Sequence, residues 1–159
     1  MKTTMNHRAF SLVELVIVIV IIGVISAIAI PRLTRGATNA GAAALKQDLA
    51  TMRNAVELYR AEHDGKFPTS EATLADQLTK YTKADGTGAQ TTVDVGNGII
   101  YGPYLKAIPP VPVGPRKGAT GIGTADAAGI GWLYDASTGE ITANTGSALD
   151  NDGVAYSAY

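Results

Sequence analysis

Hydrophobic positions in this chain fall into two unlike patterns. From Phe10 to Ile30 the run is almost unbroken, with only Ser11, Glu14 and Ser26 polar. At 1.5 Å per residue it predicts ~32 Å of helix, enough to cross a bilayer core of ~30 Å. Further on, Leu45, Leu49, Met52, Val56, Tyr59 and His63 recur at spacings of 4-3-4-3-4, one stripe along an amphipathic helix. Lys46, Asp48, Arg53, Glu57 and Arg60 lie off that stripe. Asp64-Gly65 predicts the stop, with Gly65 in the left-handed position. One helix from Phe10 to about Asp64 would be ~80 Å long, more than a small domain buries. The alternative is a break at Pro31 with a fresh helix from near Asn39, aided by the glycines at 36 and 41.

Beyond the helix the pattern shortens. Residues 70–81 read as a short helix capped by Thr69 or Ser70, with Leu74, Leu78 and Tyr81 inward. Lys83 to Gly98 and Gly118 to Gly131 read as polar or Gly/Ala-rich loops. Pro109, Pro110, Pro112 and Pro115 exclude a central strand, so residues 108–115 are expected as an extended strap over the surface. Residues 131–134 and 140–144 flank Asp135-Ala136-Ser137-Thr138-Gly139 and predict a β-hairpin with Trp132, Tyr134, Ile141 and Ala143 on one face. The expected class is α+β: one long N-terminal helix, its second half packed on a small loop-rich head with a C-terminal hairpin or small antiparallel sheet.

Composition narrows the chemistry. The 159 residues suggest one domain, and their formal charge of −1 gives no footprint for nucleic acid. With no cysteine there is no disulfide framework or thiol chemistry, and no phosphate loop, Cys/His cluster or nucleophile motif occurs. An enzyme is not expected, and neither is a cofactor.

Glu14 is the informative residue. It is the one carboxylate in the apolar run, and an ionised carboxylate at a helix centre in lipid costs on the order of 2.5–3.5 kcal/mol, less near the interface. Such a group calls for a partner. Cleavage after Ala9, between the basic stretch of Lys2, His7 and Arg8 and the apolar run, would give Phe10 a free amine. That amine would lie four residues from Glu14, on the same helix face. Amine and carboxylate could then neutralise each other within a chain or between neighbours.

Ala9-Phe10-Ser11-Leu12-Val13-Glu14-Leu15 resembles the processing and methylation site of the type IV pilin family, which includes the pseudopilins of type II secretion. The resemblance implies removal of a leader, residues 1–9, by a prepilin peptidase and methylation of Phe10. It also implies pairing of Glu14 with the amine of a neighbouring subunit. Gly23 and Pro31 stand where the family carries a helix-loosening glycine and proline; Ala9 departs from the usual glycine before the cut. The implied layout is a transmembrane or filament-core helix (10–31), its amphipathic continuation (32–65), and a head with variable loops and a tail (66–159). The implied partners are further copies in a homo-oligomeric filament, the peptidase and methyltransferase, an inner-membrane assembly platform, minor pilins or pseudopilins, and membrane lipid before assembly. The implied location is the bacterial inner membrane with the head in the periplasm, then a periplasmic or cell-surface filament. Lys2, Arg8 and the terminal amine before the span barely outweigh Arg32 and Arg35 after it, so orientation comes from the resemblance.

Two further expectations remain. Ala27-Ile28-Ala29 supplies the small-x-small pattern of signal peptidase; cleavage after Ala29 would release a secreted or membrane-anchored periplasmic binding module. Some major pseudopilins hold calcium in a C-terminal loop. Asp150 and Asp152, with Asp126 as a remote addition, resemble part of such a loop, but no bidentate glutamate follows. A solvated turn in a mobile tail is the preferred reading there.

Overall fold

The structure is a computed structural model and describes residues 11–159. Its order is α1 (Leu12–Glu62), α2 (Glu71–Thr79), β1 (Gly121–Gly123), β2 (Ile130–Asp135) and β3 (Glu140–Ala143), with 3-10 turns at Val95–Asn97 and Tyr156–Ala158. The chain forms two compact units, the first up to Ala37 and the second Thr38–Tyr159.

In the first unit α1 opens with Leu15 N–H on the Ser11 carbonyl and passes through Pro31 without a break. The expected alternative of a helix ending at Pro31 is overturned. Proline has no N–H, so Ala27's carbonyl receives no bond from position 31. Just beyond, Thr34 Oγ1 donates to the Ile30 carbonyl at 3.0 Å. Strong helix formers on both sides carry the helix across the lost bond.

In the second unit the stripe read from the sequence is the core face of α1. Leu45, Leu49, Met52, Ala55, Val56, Tyr59 and His63 are buried. They pack with Leu74 and Leu78 of α2, Trp132 and Tyr134 of β2, Ile141 and Ala143 of β3, and Val111 and Tyr156. Each such aliphatic side chain contributes about 1.5–3 kcal/mol by leaving water. α1 stops in a Schellman turn: Gly65 N–H bonds the Arg60 carbonyl at 2.9 Å, with Asp64 at φ 54°. The left-handed cap residue is thus Asp64, and Gly65, also at positive φ, is the next one.

α2 is shorter than the expected 70–81. Ser70 takes the N-cap conformation but makes no side-chain cap bond; its hydroxyl pairs with Thr73 Oγ1 at 3.1 Å. Tyr81 leaves the helix and exchanges backbone bonds with Gln90.

The hairpin forms in the expected register, with Trp132 opposite Ala143 and Tyr134 opposite Ile141. Asp135 and Glu140 also pair, so the connecting loop is shorter than expected. Two expectations fail beside it. β1 lies inside the supposed loop 118–131 and pairs parallel to β2, so the sheet is mixed rather than antiparallel, in the order β1-β2-β3. The proline strap is no surface crossing: Val111 is buried, its N–H bonds the Ala119 carbonyl at 3.0 Å, and Trp132 Nε1 donates to the Pro109 carbonyl at 2.8 Å. Proline forfeits ladder bonds, not apolar contact, so the strap packs on the core.

Candidate functional site

Ala9 and Phe10 lie outside the described residues, so the cleavage and methylation positions carry no structural description. The described part of the site begins at Glu14, in the first turn of α1. A carboxylate there meets the positive end of the helix dipole, worth about 0.3–1 kcal/mol. That offsets only part of the cost of placing the charge in an apolar medium. Val18, Ile21 and Ile25 follow Glu14 at spacings of 4, 3 and 4, so the acid heads an aliphatic face.

Among the described residues none covers the large aliphatic side chains of this segment. Every large aliphatic from Leu12 to Leu33 is about half exposed or more, and α1 contains a membrane-length window of mean hydropathy 3.1 with 0% of it buried. A surface of that size and character belongs in lipid or against other apolar helices.

The glycines on α1 divide in the same way. A Cβ added at Gly23 or Gly36 would meet nothing within 4 Å. One at Gly41 would stand 2.6 Å from Val113 Cγ1, so Gly41 admits the strap against the helix. Among the described residues nothing requires glycine at position 23.

The acidic candidates in the tail have other work. Asp150 Oδ1 accepts the Asp152 and Val154 amides, both at 2.8 Å, and Oδ2 accepts the Tyr159 hydroxyl. Those bonds, the Tyr159 hydroxyl foremost and the Val154 amide next, hold the Asp150 carboxyl below its usual range. The Tyr159 hydroxyl is pushed up to about 12, chiefly by the same bond. Asp126 sits apart, bonded to Asn144 Nδ2 at 2.9 Å and to Arg116 Nε at 2.8 Å. Its pKa is lowered, first by Asn144 and then by Arg116. Among the described residues no three His, Asp or Glu side chains converge as a cation site would require.

The tail is also better anchored than its composition suggests. Arg53 Nη1 donates to the Tyr159 carbonyl at 2.9 Å, and Lys46 Nζ sits 4.2 Å from the centroid of the Tyr159 ring. Asn151 Nδ2 donates to Asn39 Oδ1 at 2.6 Å. Sequence reasoning missed this anchor, because its partners stand about a hundred residues apart. His63 is a packing residue. It is 2% exposed, stacks on Tyr59 at 3.8 Å, and sets Nδ1 2.8 Å from the Tyr59 carbonyl and Nε2 3.1 Å from Thr82 Oγ1.

A comparison with known families falls on the same N-terminal residues. The family described as the prokaryotic N-terminal methylation motif matches residues 4–30. The chain is similar to type II secretion system core protein G of Klebsiella michiganensis, 28% identical over 75 residues, 47% of this chain and 52% of that protein. The protein of the same name in Escherichia coli K12 is 31% identical over 74 residues, 46% and 50% of the two chains. Its Vibrio cholerae namesake is 25% identical over 114 residues, 72% and 70%. The chain thus spans about half the length of the first two relatives. No solved structure matches it.

Proposed function

We propose that this chain is a non-catalytic structural subunit of a type II secretion pseudopilus or a type IV pilus-like filament. The observation that carries the reading is the coincidence of the methylation motif with an apolar, membrane-length stretch of α1 that the other described residues leave uncovered and that bears one carboxylate, Glu14. In this reading a prepilin peptidase cuts after Ala9, Phe10 is N-methylated, and the subunit waits in the inner membrane with its head in the periplasm. Assembly on a membrane platform, with minor subunits, transfers the helix from lipid to a bundle of identical helices. That transfer releases little hydrophobic energy, because lipid tails are as apolar as the bundle. Specific contacts must therefore set the register. Glu14 supplies one: inside a dry bundle it needs a cation at its own depth, and the Phe10 amine of another copy provides it. Gly23 and Pro31 act in the same segment, the first by leaving room for a neighbour and the second by loosening the helix. The absence of any neighbour around Gly23 among the described residues supports the intermolecular role. Calcium on Asp150 and Asp152 would need ligands beyond those two, and it has no part in this mechanism.

Mass spectrometry of the mature protein tests the reading. A methylated Phe10 terminus is expected. A terminus at Ile30 would replace the filament reading with a secreted or anchored periplasmic module cut after Ala29. Glu14→Ala should insert into membranes normally and yield no sedimentable polymer; normal polymer from that variant would remove the charge-pair role.

A further inference from the structure

Asn97 is the only asparagine in the chain that glycine follows. Asparagine is thermolabile, and glycine has no side chain to shield its own backbone nitrogen. In an open chain the Gly98 nitrogen can therefore attack the side-chain carbonyl carbon of Asn97. A bond forms between Gly98 N and Asn97 Cγ, the Cγ–Nδ2 bond breaks, and ammonia leaves with the proton that Gly98 N gives up. Water then opens the five-membered imide at either carbonyl, leaving aspartate or its isomer in which the chain runs through the side-chain carbon.

The folded turn ties up both reacting groups. Val95–Asn97 is a 3-10 turn capped by Asp94, and Val95 to Gly98 are exposed. Asp94 Oδ1 accepts the Asn97 N–H at 3.2 Å, and Oδ2 accepts Asn97 Nδ2–H at 2.6 Å. The amide that must be attacked is thus tethered to residue 94. The attacking nitrogen is engaged as well, since Gly98 N–H bonds the Val95 carbonyl at 3.2 Å. Below the turn, Asp94 and Ile99 exchange both backbone bonds at 2.9 Å, and Ile99 is buried. The bonds from Asn97, its side chain foremost, hold the Asp94 carboxyl below the usual range, so the cap is an anion at neutral pH and a strong acceptor.

We infer that Asn97 is a deamidation site guarded by Asp94: it reacts while the 94–99 turn is open, and the product holds the turn open. A carboxylate at position 97 stands where an amide donor stood. It faces Asp94 Oδ2, so a 2.6 Å bond gives way to a contact between like charges. The isomerised product also lengthens the main chain before residue 98, which displaces Gly98 N–H from the Val95 carbonyl. Local opening is reversible in itself, but this product is not. The turn therefore keeps a permanent record of its own opening, whatever assembly the chain belongs to.

The test incubates the full chain in detergent micelles at neutral pH, with and without unfolding urea. Mass spectrometry follows the peptide spanning residues 94–100, with its aspartyl and isoaspartyl forms separated. Conversion at Asn97 is expected in urea, and conversion at least about tenfold slower in the folded chain. Hydrogen bonds to a charged group shift an opening equilibrium by about tenfold or more. Asp94→Ala should therefore speed folded-state conversion at least ~tenfold and leave the rate in urea unchanged; circular dichroism checks that this variant folds. No conversion in urea removes the site. Folded conversion as fast as in urea, or an Asp94→Ala chain as slow as the unaltered one, removes the guard. As a second measurement, Asn97→Asp should speed hydrogen exchange of the Asp94 and Ile99 amides more than Asn97→Ala, which loses the bond without adding charge. Equal exchange in those two variants overturns the claim that the product holds the turn open.

Discussion

Replacing Pro31 with alanine adds one N–H to α1, facing a carbonyl of Ala27 that receives no bond from position 31. Proline in a helix interior costs ~3 kcal/mol relative to alanine through the lost bond and the clash with the preceding turn. If α1 runs through Pro31 as the structure has it, the substitution returns that energy to the turn around residue 31. Each 1.4 kcal/mol is tenfold in an opening equilibrium, so amide exchange there should slow by ~100-fold. Gly36→Ala is the internal control. Its added methyl meets nothing within 4 Å, so its gain is propensity alone, ~1 kcal/mol or about fivefold. The assay is hydrogen exchange by mass spectrometry on the full chain in detergent micelles, following peptides across residues 27–37. A change under about threefold for Pro31→Ala, or one equal to that of Gly36→Ala, would refute the reasoning. Position 31 would then not lie inside a formed helix.

Four further outcomes follow from the second unit. Ile141 is fully buried opposite Tyr134. Ile141→Ala removes roughly three carbons worth ~0.8 kcal/mol each and leaves a cavity, so it should lower unfolding free energy by about 2–5 kcal/mol with an unchanged urea slope. Val154→Ala, at an exposed site, should stay within ~0.5 kcal/mol. Gly41→Ala should lower the urea midpoint although alanine is the better helix former, because its Cβ crowds Val113; Val113→Ala in the same chain should restore it. The Asp150 carboxyl is lowered by its bonds in the folded state, so its contribution is full above about pH 4 and lost as pH falls through the folded value. Protection of the Asp152 and Val154 amides, taken relative to the intrinsic exchange rate at each pH, should therefore hold from neutral pH to about pH 4 and fall below it; a fall already near pH 6 would contradict the assignment.

Much of the fold was legible because it is periodic. The apolar run, the 4-3-4-3-4 stripe and the alternating hairpin each state their element locally, and each formed. What escaped depends on residues far apart in sequence. β1 is two glycines and an isoleucine whose strand character comes from the free edge of β2. The strap looked peripheral because four prolines suggested solvent, yet Val111 among them fills the core. The tail read as mobile because nothing near it in sequence announces Arg53 or Lys46. In the apolar segment the residue types could be read, but among the described residues nothing packs around Gly23 and none bonds the Glu14 side chain, so their roles rest on the proposed assembly.

Trp132 is the chain's single tryptophan and is wholly enclosed, with its indole N–H on Pro109. Its ultraviolet emission therefore reports on the integrity of the head and ignores what surrounds residues 12–33. A solvent exchange at the oily end would leave the spectrum unmoved, whereas collapse of the sheet would shift it to the red. One molecule thus carries an optical gauge that separates a change of surroundings from a loss of fold, with no label attached.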